Sequence, residues 1–77
     1  DYFTYETEEK GYYMADVRND YLNNINKFTK QEQKVINFML FTEEGMDMSL
    51  SEISNQLGLN KSHATRAMQK LKKVYQA

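Results

Sequence analysis

No proline interrupts the chain, and glycine occurs only at positions 11, 45 and 58, so a backbone free to run in long helices is offered three places to break. From Met14 the apolar residues Val17, Tyr21, Leu22, Ile25 and Phe28 recur three and four apart, which predicts an amphipathic leading helix to about Asn26. Thr29-Lys30-Gln31-Glu32 is a capping-box pattern and predicts a new helix start. The apolar residues that follow, Val35, Ile36, Phe38, Met39 and Leu40, are too dense for one narrow stripe, so this helix should cross the core until Glu43-Glu44-Gly45 ends it. Ser49-Leu50-Ser51-Glu52 repeats the capping box, Leu50, Ile53 and Leu57 follow at helical spacing, and Gly58 offers the left-handed stop. Asn60 then caps a last helix whose Ala64, Ala67, Met68 and Leu71 share one face.

The expected fold class is therefore all-α, a core of three to four helices containing a helix-turn-helix over residues 14–77. Residues 1–13 are read separately as an aromatic and acidic arm or a short N-terminal β-hairpin. Two runs of β-favouring aromatics, Tyr2-Phe3-Thr4-Tyr5 and Tyr12-Tyr13, flank the loop at Gly11. An isolated hairpin is marginal in water, which is why the arm stands beside it as the alternative.

Charge is distributed unevenly along the chain. Residues 1–60 carry five basic groups and all eleven acids, whereas residues 61–77 carry Lys61, Arg66, Lys70, Lys72 and Lys73 and no acid. A net charge of -1 thus hides a basic end on an acidic body, a pattern suited to meeting a polyanion, because phosphate attraction follows the local field.

A helix-turn-helix needs a small residue where the second helix crosses the first, a glycine in the turn, and apolar contacts from both helices to a third. Ser54, Gly58, the inward Ile53 and Leu57, the plug Leu59, the cap Asn60, and Ala64 with Ala67 supply these at the required intervals. The stretch Met48-Ser49-Leu50-Ser51-Glu52-Ile53-Ser54-Asn55-Gln56-Leu57-Gly58-Leu59-Asn60-Lys61-Ser62, followed by Ala64-Thr65-Arg66-Ala67-Met68-Gln69-Lys70-Leu71, resembles the winged helix-turn-helix of the MarR and IclR transcription-regulator families. Phe28 to Leu40 resembles their preceding helix, so the likeness covers about residues 28 to 73.

The resemblance implies double-stranded DNA as partner, Asn60 to Lys73 as recognition helix, and a homodimer of the parent protein reading a palindromic operator. The leading helix is long enough to help form the dimer seam, and its Tyr21 and Leu22 would be exposed without a partner. It implies DNA contacts from Asn60, Lys61, Ser62, Thr65 and Arg66, with Gln69 and Lys70 further along. The β-wing of these families has no counterpart after Lys73, where the chain runs Val74-Tyr75-Gln76-Ala77. By side-chain chemistry, Arg66 and Gln69 suit the edges of guanine and adenine. Lys61, Lys70, Lys72 and Lys73 suit phosphates, and Ser62 and Thr65 suit either.

Other classes find little support. No cysteine is present, so thiolate metal sites and disulfides are excluded, and His63 lacks a partner for metal or catalytic work. Nothing assembles into an enzyme's acid, base and nucleophile, and no cofactor is expected. The longest apolar run, Phe38-Met39-Leu40-Phe41, is far short of the roughly 20 residues of a membrane span, so a cytoplasmic protein is expected, nucleoid-associated in a bacterium. Opening on Asp1, the chain reads as a segment of a longer protein. A small-molecule effector is not legible. The rival readings are a replication or plasmid-maintenance DNA-binding domain and a helix-turn-helix protein-interaction module that meets an acidic protein surface.

Overall fold

A computed structural model describes residues 2–76, which form six α-helices and one 3-10 turn within 30 × 25 × 18 Å. In chain order these are α1 (Phe3–Glu9), α2 (Met14–Asn23), a 3-10 turn (Ile25–Lys27), α3 (Lys30–Phe41), α4 (Glu43–Met46), α5 (Leu50–Leu57) and α6 (Lys61–Gln76). The all-α expectation holds. The core is a single cluster in which Val17, Tyr21, Val35, Ile36, Met39, Leu40, Ile53, Ala64, Ala67 and Leu71 are buried from α2, α3, α5 and α6.

Both capping boxes form as the sequence requires. The Thr29 hydroxyl accepts from the Glu32 N–H at 3.2 Å while the Glu32 carboxylate accepts from the Thr29 N–H at 2.8 Å, and Ser49 and Glu52 repeat the reciprocal arrangement at α5. At the other end of α3 the guanidinium of Arg18 donates to the Leu40 carbonyl at 2.8 Å, which satisfies an orphan acceptor and sets a cation against the negative end of the helix.

Four expectations need correction. The N-terminal β-hairpin does not form: residues 3–9 are helical, and among the described residues only Tyr2 keeps a β partner, in a single antiparallel bridge to Ser49. Aromatic β-preference is a statement about fit to a half-buried surface, and here one helical face buries Phe3 and Thr7 four residues apart while Glu6 bonds across to Lys72 at 2.8 Å. Gly11, at φ 80°, lies just past the end of this helix, in the left-handed region open to glycine.

The leading helix stops at Asn23, three residues short of the expected Asn26, and side-chain amides bond one of its last carbonyls and two in the turn that follows. Asn24 Nδ2 donates to the Asp20 carbonyl at 2.8 Å, and Gln33 Nε2 donates to the carbonyls of Ile25 and Phe28 at 3.3 and 3.0 Å. Nor does Glu43-Glu44-Gly45 terminate α3. The helix ends at Thr42, whose hydroxyl donates to the Phe38 carbonyl and accepts from the Gly45 N–H at 3.0 Å, so Thr42 both closes α3 and caps the single turn α4. Tyr21, expected to be exposed, is 0% exposed: its ring packs edge-on to Phe28 and its hydroxyl donates to Asn37 Oδ1 at 2.9 Å.

Gly45 is needed for close approach rather than as a stop. A Cβ there would overlap the backbone carbonyl of Phe38, which cannot move without bending α3. Gly45→Ala is therefore expected to cost about 1–3 kcal/mol, as overpacking of a dense interior does, and urea unfolding followed by circular dichroism would reveal it. An unchanged midpoint would mean that α4 shifts freely.

Candidate nucleic-acid interface

The turn between α5 and α6 is built as its residues demand. Gly58 takes φ 68°, ψ 30°, its N–H donates to the Asn55 carbonyl at 3.3 Å, and the Leu59 N–H donates to the Ser54 carbonyl at 2.9 Å. These two bonds constitute the Schellman closure that lets a helix end sharply. Ser54 is buried and its hydroxyl returns to the Leu50 carbonyl at 2.8 Å, so the small side chain at the crossing leaves no unpaired polar atom. Ala64 and Ala67 are fully buried, which lets α6 lie close to its neighbours, and Leu59 is half-buried beneath the turn.

Helical spacing then divides α6 into two faces. Ala64, Ala67, Met68, Leu71 and Tyr75 point into the core. At about 100° per residue, Ser62, Arg66, Gln69 and Lys73 fall on the opposite side, and all four are exposed. This ridge spans roughly 16 Å along the helix, and the major groove of DNA, about 12 Å wide, admits a helix of this kind. Asn60 immediately precedes α6 and its carbonyl accepts from the His63 N–H at 3.0 Å, while Lys61 and Thr65 border the ridge and are exposed. A recess of about 250 Å³ between Lys61 and Ser49, Leu50 and Ser51 joins the starts of α5 and α6.

The five cations of the basic end do not stand alike. Lys70 Nζ donates to the buried Glu32 carboxylate at 2.7 Å and to the Lys27 carbonyl at 3.1 Å, and Lys72 pairs with Glu6 at 2.8 Å. Burial opposes ionisation of Glu32, yet the bonds from Lys70 and from the Thr29 N–H outweigh it and hold the carboxyl below its ordinary value. For Glu6 the hydrogen bond from Lys72 dominates and lowers its carboxyl likewise. Lys61, Arg66 and Lys73 form no ion pair among the described residues. Two of the five charges are thus compensated within the fold, and Lys70, expected on the DNA-facing side, is anchored to α3. No local sequence signal announces that pair, because its partners lie 38 positions apart.

Near the C-terminal end of α6, Tyr75 packs edge-on to Tyr12 and Phe3 at centroid separations of 4.8 and 6.0 Å. Burial, followed by the nearby Glu6 and Tyr12, pushes the Tyr75 phenol up to about 12. This aromatic group ties α1 and the connection between α1 and α2 to α6. Among the described residues no helix is long and apolar enough to cross a membrane.

In comparison with known proteins, residues 38–73 match the family model of the IclR helix-turn-helix domain. The matched span runs from the last turn of α3 through α4, α5 and the turn to Lys73 on α6. No curated protein and no solved structure matches the chain.

Proposed function

We propose that this chain, with an IclR-type helix-turn-helix over residues 38–73, is the DNA-binding part of a sequence-specific transcription regulator whose α6 enters the major groove of double-stranded DNA. The observation that carries the reading is the exposed ridge Ser62, Arg66, Gln69 and Lys73, set directly opposite the buried stripe of the same helix. A rigid helix that presents Arg and Gln seven and four positions before a terminal Lys offers two base-reading side chains and one phosphate contact in a single line. Asn60, Lys61, Ser62 and Thr65 surround the start of the helix, where backbone N–H groups favour a phosphate. Lys70 contributes less than its position suggests, since Glu32 takes its charge.

The regulator acts as a homodimer in this reading. Leu22 on α2 and Phe41 at the end of α3 remain 49% and 48% exposed, large apolar side chains that a two-fold partner would cover. Half-sites would then lie about one helical turn of DNA apart. The protein acts in the cytoplasm, where its operator would be.

The test is selection of bound duplexes from a random pool, followed by anisotropy titration of the enriched sequence. Arg66→Ala is expected to weaken binding to that sequence by roughly 5- to 150-fold, corresponding to one bidentate base contact, and to erase preference at one position. Duplex binding without enrichment of any sequence would refute specific reading. No binding at low salt would refute DNA as the partner and favour an acidic protein surface.

A further inference from the structure

The basic surface does not end with α6. A cleft of about 440 Å³ opens between the C-terminal half of this helix and the 3-10 turn, lined by Asn24, Lys27, Lys70, Lys73 and Val74. Lys73 is the last residue of the exposed ridge, and Lys27 faces it from a different element. Neither forms an ion pair among the described residues, and both are exposed. The Glu32 carboxylate is spent on Lys70, whose second bond to the Lys27 carbonyl pins the turn against α6. Two lysines without an ion pair among the described residues thus line one cleft, on a surface continuous with the ridge. That arrangement suits a group carrying a full negative charge and several acceptor oxygens.

We infer that Lys27 and Lys73 form a phosphate clamp that holds the DNA backbone flanking the groove occupied by α6, so that the interface extends beyond the helix-turn-helix to the 3-10 turn. The inference rests on the reading of α6 as the docked helix and adds a contact outside residues 38–73. Its chemistry is phosphate recognition by point charges, which is blind to sequence and sensitive to salt. Lys27 lies among mixed polar residues between two helices, where nothing in the local sequence distinguishes it from a solvated lysine.

Lys27→Gln is a clean variant, because Lys70 bonds the backbone carbonyl at this position and not the side chain. Affinity for the enriched duplex would be measured by anisotropy across a salt series for the wild type, Lys27→Gln, Lys73→Gln and Arg66→Ala, with thermal unfolding to verify folding. For Lys27→Gln the expected result is several-fold weaker binding at low salt and a slope of log affinity against log salt shallower by about one, the signature of one lost phosphate contact. An unchanged slope in Lys27→Gln, with Arg66→Ala still impaired, would overturn the clamp and leave the docking of α6 standing. Failure of the wild type to bind any duplex would overturn both. Inorganic phosphate titrated without DNA, followed at the backbone amides of Asn24, Lys27 and Val74, separates the sources of phosphate. No saturation is expected. Saturable binding at millimolar phosphate that Lys27→Gln abolishes would assign the cleft to a free phosphate compound and overturn the duplex assignment.

Discussion

Leu71→Ala is expected to remove about 3 kcal/mol of stability, within the roughly 2–5 kcal/mol that truncating a buried leucine costs. Leu71 is 0% exposed and lies midway along α6, one turn after Ala67 and one before Tyr75. Its side chain therefore completes the stripe by which α6 is held to the rest of the core. The alanines at 64 and 67 offer little apolar volume, so truncation of Leu71 leaves Met68 and Tyr75 as the large contacts of that face. A domain of 77 residues has only about 4–11 kcal/mol in total at typical per-residue stability, so the loss is a large fraction of the whole. A fall in Tm of roughly 10–25 °C should follow for a chain of this size. Gln69→Ala, two positions away on the exposed ridge, should change stability by no more than about 0.5 kcal/mol. Urea unfolding of the two variants measures the contrast. Equal losses from both would mean that α6 is not oriented with its ridge outward, and the interface would have to be redrawn.

That orientation was legible in the sequence because it depends on spacing within one helix. The same holds for both capping boxes and for the Gly58 turn, whose bonds all close within six residues. What the sequence concealed depends on contacts between distant segments. Tyr21 looked exposed until Asn37 and Phe28 were placed beside it. The Tyr2 to Tyr5 stretch carried β-favouring residues, yet the surface that Phe3 and Thr7 occupy, and the cation that meets Glu6, come from elsewhere in the chain. Thr42 is the subtler case: a single hydroxyl ends one helix and starts another, and Glu43-Glu44-Gly45 read as a stop only while that hydroxyl was left out. For the site, Ser62, Arg66, Gln69 and Lys73 stood in the sequence among a wider set of candidates, and the exposure of these four along one side of α6 singles them out. The difference between Lys70 and Lys73, one bound to Glu32 and the other without an ion pair among the described residues, required the packing of α3 on α6.

Glu32 is where the fold meets the proposed interface, and its substitutions should move stability and DNA affinity in opposite directions. One oxygen of this buried carboxylate accepts from the Thr29 N–H at 2.8 Å and from Lys70 at 2.7 Å, so it caps α3 and ties α3 to α6 at once. Glu32→Ala loses both and should cost about 2 kcal/mol: roughly 1 from the capping box and the rest from the charged bond, discounted because Lys70 can return to water. Glu32→Gln keeps an oxygen for the Thr29 N–H, as a capping box with glutamine does, and should fall between the two. The gap between wild type and Glu32→Gln carries a pH signature. The folded-state carboxyl titrates below its ordinary value of 4.5, so the unfolded chain binds the proton first. The stabilisation is therefore present in full above pH 4.5 and is lost as pH falls through the lowered folded value. Unfolding free energies at neutral and acid pH should show the gap closing on acidification, and a gap independent of pH would mean that the charge of Glu32 contributes nothing. Binding should respond the other way. With Gln at this position Lys70 is uncompensated beside Lys27 and Lys73, which adds one free cation to the clamp, so duplex affinity at low salt should rise and its salt dependence steepen. A Glu32→Gln protein that is both less stable and weaker on DNA would show that the Lys70 bond serves chiefly to position α6, not to restrain its charge.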